Sequence, residues 1–148
     1  TYAQLKSEAG LSGSASGGSG GDALSGSFGL FTYTATTGDL GHTGSSNTWV
    51  TRSINTTKIP LSGVTLSSNT ITLPIGNYVI RALAINLQNG NSKIRLYNTT
   101  TSTVIAIGMV SFSKGSANGG EIYPEVSAYL SITTPTTFRV DQMSDSPN

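Results

Sequence analysis

The sequence predicts an all-β, antiparallel β-sandwich, and three observations support this fold class. The chain is rich in small and β-compatible residues, with 22 Ser, 21 Thr and 18 Gly among its 148 residues. Only 10% of the residues are charged, which leaves few of the side chains that stabilise helices in water. Short apolar or alternating stretches recur between turn signals, and roughly seven to nine such stretches at this spacing are typical of a sandwich.

The most informative part of the chain is the stretch 69–98, NTITLPIGNYVIRALAINLQNGNSKIRLYN. It predicts three strands separated by two turns. The first turn is at Pro74–Asn77, because Pro lacks a ladder donor and Gly tolerates positive φ. The second is at Gln88–Asn91, where Asn-Gly is a strong turn signal. In the third strand two apolar residues alternate with three polar or aromatic ones, so one of its faces should be wet.

The strand predicted from Tyr78 to Leu87 is apolar on both faces. Its two faces carry Tyr78, Ile80, Ala82 and Ala84 on one side, and Val79, Leu83, Ile85 and Leu87 with Arg81 on the other. A strand that is apolar on both sides is expected to be buried on both sides. In an antiparallel protein the second cover must come from another sheet or from another subunit.

The rest of the domain is predicted as further strands joined by polar turns. A hairpin or a bulged strand is expected over Val64–Leu73, and strands are expected at Phe28–Thr37, Thr48–Asn55, Thr103–Phe112, Tyr123–Ile132 and Thr137–Met143. In the fourth of these strands, Val126, Ala128, Leu130 and Ile132 should face inward. Pro124 restricts its beginning to a sheet edge or a bulge.

Residues 1–27 are predicted to be an N-terminal arm and linker, followed by one domain over 28–148. Within the arm, only residues 2–9 have the spacing of a short helix. Twelve of the sixteen residues in 12–27 are Gly or Ser. Such a segment cannot bury enough apolar surface to offset its ordering entropy, so it should act as a tether or a surface strap.

Composition argues against several classes of partner. The formal net charge is +1, which disfavours nucleic acid and anionic membranes as partners. The chain has no cysteine, so disulfides and thiolate metal sites are excluded. No run approaches the roughly 20 apolar residues of a membrane span, so no membrane insertion is expected. No secretory signal is visible, and no phosphate-binding loop or dinucleotide fingerprint predicts a cofactor.

Three sequence blocks carry a resemblance to a known family. They are WVTRSINTT at 49–57, SSNTITLPIGNYVIRALA at 67–84 and KIRLYNTT at 93–100; a looser match continues through EVSAYLSITTPTTFRVDQ at 125–142. Together they resemble a domain of bacteriophage tail-fibre and head-fibre proteins, over about Phe28 to Met143. The resemblance implies the jelly roll shared by tumour necrosis factor and the globular heads of complement, and it implies a homotrimer.

The resemblance also implies a location, partners and one departure from the family pattern. The protein would sit on the surface of the virion, after assembly in the host cytoplasm, and residues 1–27 would contact other virion proteins of the capsid or tail. Members of the family continue past the strand equivalent to Thr137–Met143 into a final strand that lies centrally in the inner sheet. This chain stops at Asn148, so either that strand is missing or another segment or subunit fills its place.

The resulting functional hypothesis is a non-enzymatic virion structural protein, a trimeric fibre or decoration domain on a phage head or tail. The alternative is a fibre tip that binds a host receptor or a surface carbohydrate. The predicted trimer interface consists of Tyr78, Arg81, Leu83, Ile85, Leu87 and Tyr129. Arg81 has two interpretations: its head reaches a sheet edge while its stem covers apolar surface, or it forms a charge-paired contact between subunits.

Catalytic and metal sites have little support in the sequence. His42, the single histidine, lies beside Asp39 and near Ser45 and Ser46, but nothing resembles the rigid turn that a nucleophilic serine requires. Paired carboxylates could serve glycoside hydrolysis; the acids are Glu8, Asp22, Asp39, Glu121, Glu125, Asp141 and Asp145. Their spacing matches no metal-binding loop. The aromatic residues could stack on sugars, although core or interface packing is commoner. No catalytic residue, metal ligand or cofactor is therefore predicted.

Overall fold

A computed structural model describes residues 27–37, 46–87, 90–113 and 121–145. Within these ranges the regular structure is entirely β, and every strand pairing is antiparallel. Helical turns predicted at 2–9 and the Gly/Ser-rich segment 12–27 lie almost wholly outside the described residues. The strands are Leu30–Thr32 (β1), Val50–Thr51 (β2), Thr56–Ile59 (β3), Thr65–Ser67 (β4), Thr70–Leu73 (β5), Gly76–Leu83 (β6), Asn86–Leu87 (β7), Gly90–Asn98 (β8), Thr103–Ile107 (β9), Ser111–Ser113 (β10), Glu121–Ile122 (β11), Glu125–Ile132 (β12) and Thr136–Ser144 (β13).

The larger sheet contains seven strands and is built around β8 and β13. Its order is β10-β8-β13-β5-β4, while β2 pairs with β13 and β9 pairs with β8. The hairpin β4–β5 turns through Ser68 and Asn69, whose φ angles of 47° and 63° match the positive φ values that a two-residue hairpin turn requires. The sequence prediction of a hairpin in this part of the chain is confirmed.

A two-stranded ribbon of β6 and β12 covers the larger sheet. The ribbon runs in register from Gly76 opposite Ile132 to Leu83 opposite Glu125, and the short pair β7–β11 follows it along the chain. A second ribbon is formed by β1 and β3. The all-β class and the antiparallel pairing predicted from the sequence are confirmed, and the layered arrangement is consistent with a β-sandwich.

The core lies between the ribbon β6–β12 and the inner face of the larger sheet. Its buried members alternate along their strands, as period-two patterning requires; they are Leu73, Ala84, Ile94, Leu96, Val126, Leu130, Ile132, Phe138 and Val140. Ala82 and Ala128 pack against this cluster as smaller, partly buried residues. The inward face predicted for the strand 123–132 is therefore confirmed.

Several predicted strands are shorter than expected. The expected strand Phe28–Thr37 is reduced to β1, and the expected strand Thr48–Asn55 is reduced to β2. The expected strand Thr103–Phe112 is divided into β9 and β10 around Gly108. A Cβ at Gly108 would overlap the carbonyl oxygen of Glu125, so the backbone there packs directly against the start of β12, while the amide of Gly108 still donates to the carbonyl of Ile94 in β8.

Two predictions about the central stretch need correction. The strand expected over Tyr78–Leu87 ends at Leu83 and resumes as β7, and only one of its faces is covered by a sheet of the same chain. The Asn-Gly turn does not join a hairpin, because β6 pairs with β12 while β8 pairs with β9, β10 and β13. The chain crosses from one layer to the other between these strands. The strand Thr56–Ile59 (β3) was not predicted, because its polar residues resemble a loop.

Candidate functional site

The most distinctive surface of the protein is the outward face of the ribbon β6–β12. We call it the outer ribbon face and define it by Val79, Arg81, Leu83, Ile85, Glu125, Ser127 and Tyr129. Val79 is 80% exposed and Tyr129, directly opposite, is 68% exposed. Leu83 and Ile85 are more than half exposed. Large apolar side chains grouped on one face are characteristic of protein interaction sites.

Strict alternation of side chains creates this face. Successive residues of a strand point to opposite sides, so Ile80 and Ala82 pack on the core while Val79 and Leu83 point away from it. No strand of the described residues covers the outward side. The sequence prediction of two apolar faces is therefore correct for the pattern, but the described part of the chain buries only one of them.

Arg81 lies in the middle of the outer ribbon face and forms an ion pair with Glu125 of the neighbouring strand. Its Nε and Nη2 donate to the two carboxylate oxygens of Glu125 at 2.6 and 2.7 Å, and Ser127 donates to the same carboxylate at 3.2 Å. Arg81 faces Ser127 across the ladder, so the pair is diagonal. Two parallel N–H···O bonds make this the bidentate geometry that fixes a guanidinium most firmly.

This ion pair shifts the pKa of both partners and neutralises the charge on the face. The hydrogen bond from Arg81 is the largest cause that lowers the pKa of Glu125, and the hydrogen bond to Glu125, followed by its negative charge, raises the pKa of Arg81. Both groups are solvent-exposed. The guanidinium of Arg81 thus has a partner within the chain, which neither interpretation of Arg81 from the sequence had predicted.

The six residues predicted for the interface do not all lie together. Arg81, Leu83, Ile85 and Tyr129 belong to the outer ribbon face. Tyr78 lies on the opposite side of β6, packs against the core and donates from its hydroxyl to the carbonyl of Pro74 at 3.0 Å. The backbone of Leu87 is in β7 opposite Glu121, and its side chain is outside the described part of the structure. Val79, the most exposed member of the face, was not among the predicted interface residues, although alternation along the strand had already placed it on the same face as Arg81 and Leu83.

The carboxylates considered for catalysis are occupied by other contacts or lie outside the described residues. Glu125 is held by Arg81, and Asp141 is held by Arg95 and Arg139. Asp145 accepts hydrogen bonds from the backbone and side-chain amides of Asn91 at 2.8 and 2.7 Å. Glu8, Asp22, Asp39, His42 and Ser45, together with the side chain of Glu121, are not among the described parts. Ser46 donates to the carbonyl of Asp145. Among the described residues, no three potential ligands are grouped to hold a metal ion.

A cluster of cations and aromatic rings lies on the opposite surface, the outer face of the larger sheet. The guanidinium of Arg95 lies 4.5 Å from the ring centre of Trp49 and 4.7 Å from that of Tyr97, and Arg139 lies 4.5 Å from Tyr97. Asp141 is fully buried beneath them and pairs with both arginines. Stacking of this kind stabilises the sheet. The alternation in β8 predicted a wet face, but Trp49 and Arg139 join it from distant parts of the sequence.

A second exposed apolar surface follows the strands β9 and β10. Its members are between about one third and four fifths exposed, and they are Val104, Ile105, Ile107, Met109, Val110 and Phe112. They share no ion pair or hydrogen-bonded centre of the kind that organises the outer ribbon face. This surface supplies matched control positions for experiments on that face.

Comparison of the chain with protein-family models, with curated proteins and with solved structures finds no match. No helix of the described residues is long and apolar enough to cross a membrane. The outer ribbon face presents exposed apolar side chains around the ion pair of Arg81 and Glu125.

Proposed function

We propose that this protein is a non-enzymatic structural module that forms a homotrimer through its outer ribbon face. The proposal places it, as a jelly roll similar to tumour necrosis factor, in a fibre or decoration domain on the head or tail of a bacteriophage. The observation that carries the assembly is the exposure of Val79, Leu83, Ile85 and Tyr129 on one strand face. The phage assignment rests on the sequence resemblance at 49–57, 67–84 and 93–100.

The area available on this face is large enough to contribute to association. Fully burying an apolar side chain contributes about 1.5–3 kcal/mol. Scaled by the exposed fractions of these four residues, complete cover contributes roughly 4–8 kcal/mol per subunit. Association costs several kcal/mol in lost translational and rotational freedom, so one such contact gives modest affinity. A closed ring of three subunits makes three contacts and cannot extend into a filament.

The ion pair at the centre of the face suits an assembly interface. Arg81 and Glu125 already satisfy one another within the chain, so the face presents no unpaired charge to a neighbouring subunit. Covering a pair that is already bonded still has a desolvation cost, but leaving one charge without a partner costs more. In a three-fold ring each contact joins this face to a different surface of the neighbouring copy, and that surface need not supply a charge to match the pair.

The assembly is tested by the molecular mass in solution, measured by multi-angle light scattering. We expect the wild type to be a trimer at micromolar concentration and the Leu83→Asp variant to be a folded monomer. Ile107→Asp is the matched control, because Ile107 is 56% exposed against 54% for Leu83 but lies on β9. This control should remain trimeric.

Three results would contradict the proposal or change it. A wild type that is monomeric excludes the homotrimer. A Leu83→Asp variant that stays trimeric while Ile107→Asp dissociates moves the interface to β9–β10. Circular dichroism and thermal melting of each variant show whether a lost trimer reflects unfolding. Selective binding of the wild type on a glycan array supports the alternative, a receptor- or carbohydrate-binding tip, over a decoration domain.

A further inference from the structure

An apolar groove of about 840 Å³ lies between β1 and β6. Its floor is the inner face of the larger sheet and is formed by Leu73, Leu96, Phe138 and Val140; its walls are the segment 28–33 and β6. Phe28 is 68% exposed at this wall. We call this feature the strand groove. It adjoins the outer ribbon face along β6, because Val79, Leu83 and Ile85 of that face also line the groove.

The strands β1 and β6, which lie on the two sides of the strand groove, are not paired with each other. Among the described residues, β1 pairs only with β3 and β6 pairs only with β12. The amide of Ala84 bonds to the carbonyl of Pro124 on the β12 side. Because N–H groups alternate between the two edges of an antiparallel strand, the amides of Val79, Arg81 and Leu83 point to the edge that faces away from β12. Unpaired strand edges of this kind are templates for another strand.

Arg52 brings to the same groove a positive charge that no acid of the described residues compensates. It lines the groove, burial lowers the pKa of its guanidinium, and no carboxylate of the described residues pairs with it. The other three described arginines, Arg81, Arg95 and Arg139, each have an acidic partner. Thr32, also in the groove lining, has a buried hydroxyl without a hydrogen-bond partner. A partly desolvated cation needs a counter-charge, which an occupant can supply.

We propose that the strand groove binds an extended, acidic peptide segment of a partner as an additional β-strand between β1 and β6. Apolar side chains of the peptide, at every second position, would cover the floor, and one carboxylate would pair with Arg52. The length of β6, eight residues, sets the length of the segment. This inference does not depend on the proposed trimer.

The geometry favours a peptide over a small apolar ligand. A compact ligand could fill the volume, which is within the range of about 300–1,000 Å³ usual for ligand pockets. It would leave the row of edge N–H and C=O groups on β6 unmatched. Another backbone supplies donors and acceptors at the strand repeat of about 3.3 Å, as in other complexes formed by strand addition.

The first experiment selects binders from an unbiased display library of nine-residue peptides against the whole protein. We expect enriched sequences to alternate apolar residues and to carry Asp or Glu at one fixed position. The best peptide and its counterpart with the acid replaced by the corresponding amide are then synthesised. For the wild type, the amide peptide should bind at least about tenfold more weakly, since a charge-assisted hydrogen bond is lost.

Variants of the protein test the role of Arg52. Arg52→Met should bind both peptides with nearly equal affinity. Lys58→Met is the matched control, because Lys58 is an exposed residue of β3 outside the groove lining and its replacement changes the net charge equally. This control should keep the preference for the acidic peptide. Hydrogen exchange measured by NMR should show new protection at the amides of Val79, Arg81 and Leu83 when the peptide is bound.

Four outcomes overturn the proposal. Two concern the library: no enriched peptide, or enriched peptides that lack an acid. The other two are an Arg52→Met variant that keeps the preference for the acid, and a bound peptide that leaves the three edge amides unprotected. If the only enriched peptides match sequences of this chain, the occupant of the groove is a second copy of the protein, and the proposal of a different partner is wrong. Binding of a small apolar probe that fully blocks the groove while no peptide is selected identifies a ligand pocket instead.

Discussion

The buried carboxylate of Asp141 gives the sharpest test of the electrostatics of this fold. The carboxylate is fully buried. Its Oδ2 accepts a hydrogen bond from Arg95 Nε at 2.8 Å, and its Oδ1 accepts one from the hydroxyl of Thr51 at 3.0 Å. Arg139 Nε lies 2.9 Å from Oδ1 but is not aligned for a hydrogen bond, so that contact is electrostatic. Asp141→Asn keeps the size of the side chain and removes its charge.

This substitution should lower the free energy of unfolding by about 3 kcal/mol. Removing one partner of a buried ion pair costs roughly 3–5 kcal/mol, because the other charge remains without compensation. Here two guanidiniums lose their partner. The side chain of Arg139 is 33% exposed and that of Arg95 is 14% exposed, so water reaches Arg139 and the loss should fall at the lower end of that range.

Glu125→Gln is the matched control, because it removes an equally short ion pair at an exposed position. Exposed pairs contribute at most about 1 kcal/mol. Urea denaturation followed by the fluorescence of Trp49, the single tryptophan, measures both variants, since Trp49 stacks on Arg95. The m-value should not change. If both variants lose less than about 1 kcal/mol at equal m-values, the reasoning from burial is refuted.

Three further predictions concern single positions. Gly108→Ala should lower the free energy of unfolding, measured in urea, by about 1–3 kcal/mol or more, because the added Cβ would overlap the carbonyl oxygen of Glu125. An unchanged midpoint of urea denaturation would contradict this close packing. Asn69→Ala should lower the free energy of unfolding by about 1–3 kcal/mol, because Asn69 Oδ1 accepts a hydrogen bond from the amide of Ile54 at 3.1 Å. Asn69→Gly should lower it less, since Gly tolerates the positive φ at this position. The hydrogen bond from Arg81 lowers the pKa of Glu125 in the folded state, so the stability from this pair is present above the ordinary pKa of a glutamate and is lost as the pH falls through the lowered pKa. Arg81→Met should reduce that acid-dependent fall of the melting temperature, and an identical pH profile would contradict it.

Alternation along individual strands was readable from the sequence. The inward and outward sets of β6 and the inward set of β12 follow from period-two patterning, because each strand has one face on the core. The alternation of polar and apolar residues in β8 also predicted that one face of this strand is less buried than the other. These features depend only on neighbouring residues.

Pairing between distant strands was not readable in the same way. The Asn-Gly turn before β8 suggested a local hairpin, yet β6 pairs with β12, which lies far along the chain. The cluster of Asp141 with Arg95 and Arg139, and the position of Arg52 in the strand groove, also depend on which strands become neighbours. Each residue alone resembles an ordinary surface charge, so its role appears only when the sheet order is known.

The two proposals for the ribbon can be separated at a residue that belongs to only one of the two surfaces. Tyr129 of β12 is 68% exposed on the outer ribbon face and is not part of the groove lining, whereas Leu83 belongs to both surfaces. Tyr129→Asp should therefore give a folded monomer that binds the selected acidic peptide with nearly the affinity of the wild type. Arg52→Met should in turn remain trimeric, since Arg52 lies in the groove lining and not on the outer ribbon face. Titration of Tyr129→Asp with the labelled peptide, followed by fluorescence anisotropy, measures the first prediction. A folded Tyr129→Asp monomer that no longer binds the peptide would show that a neighbouring subunit completes the groove, so that the peptide site exists only in the trimer.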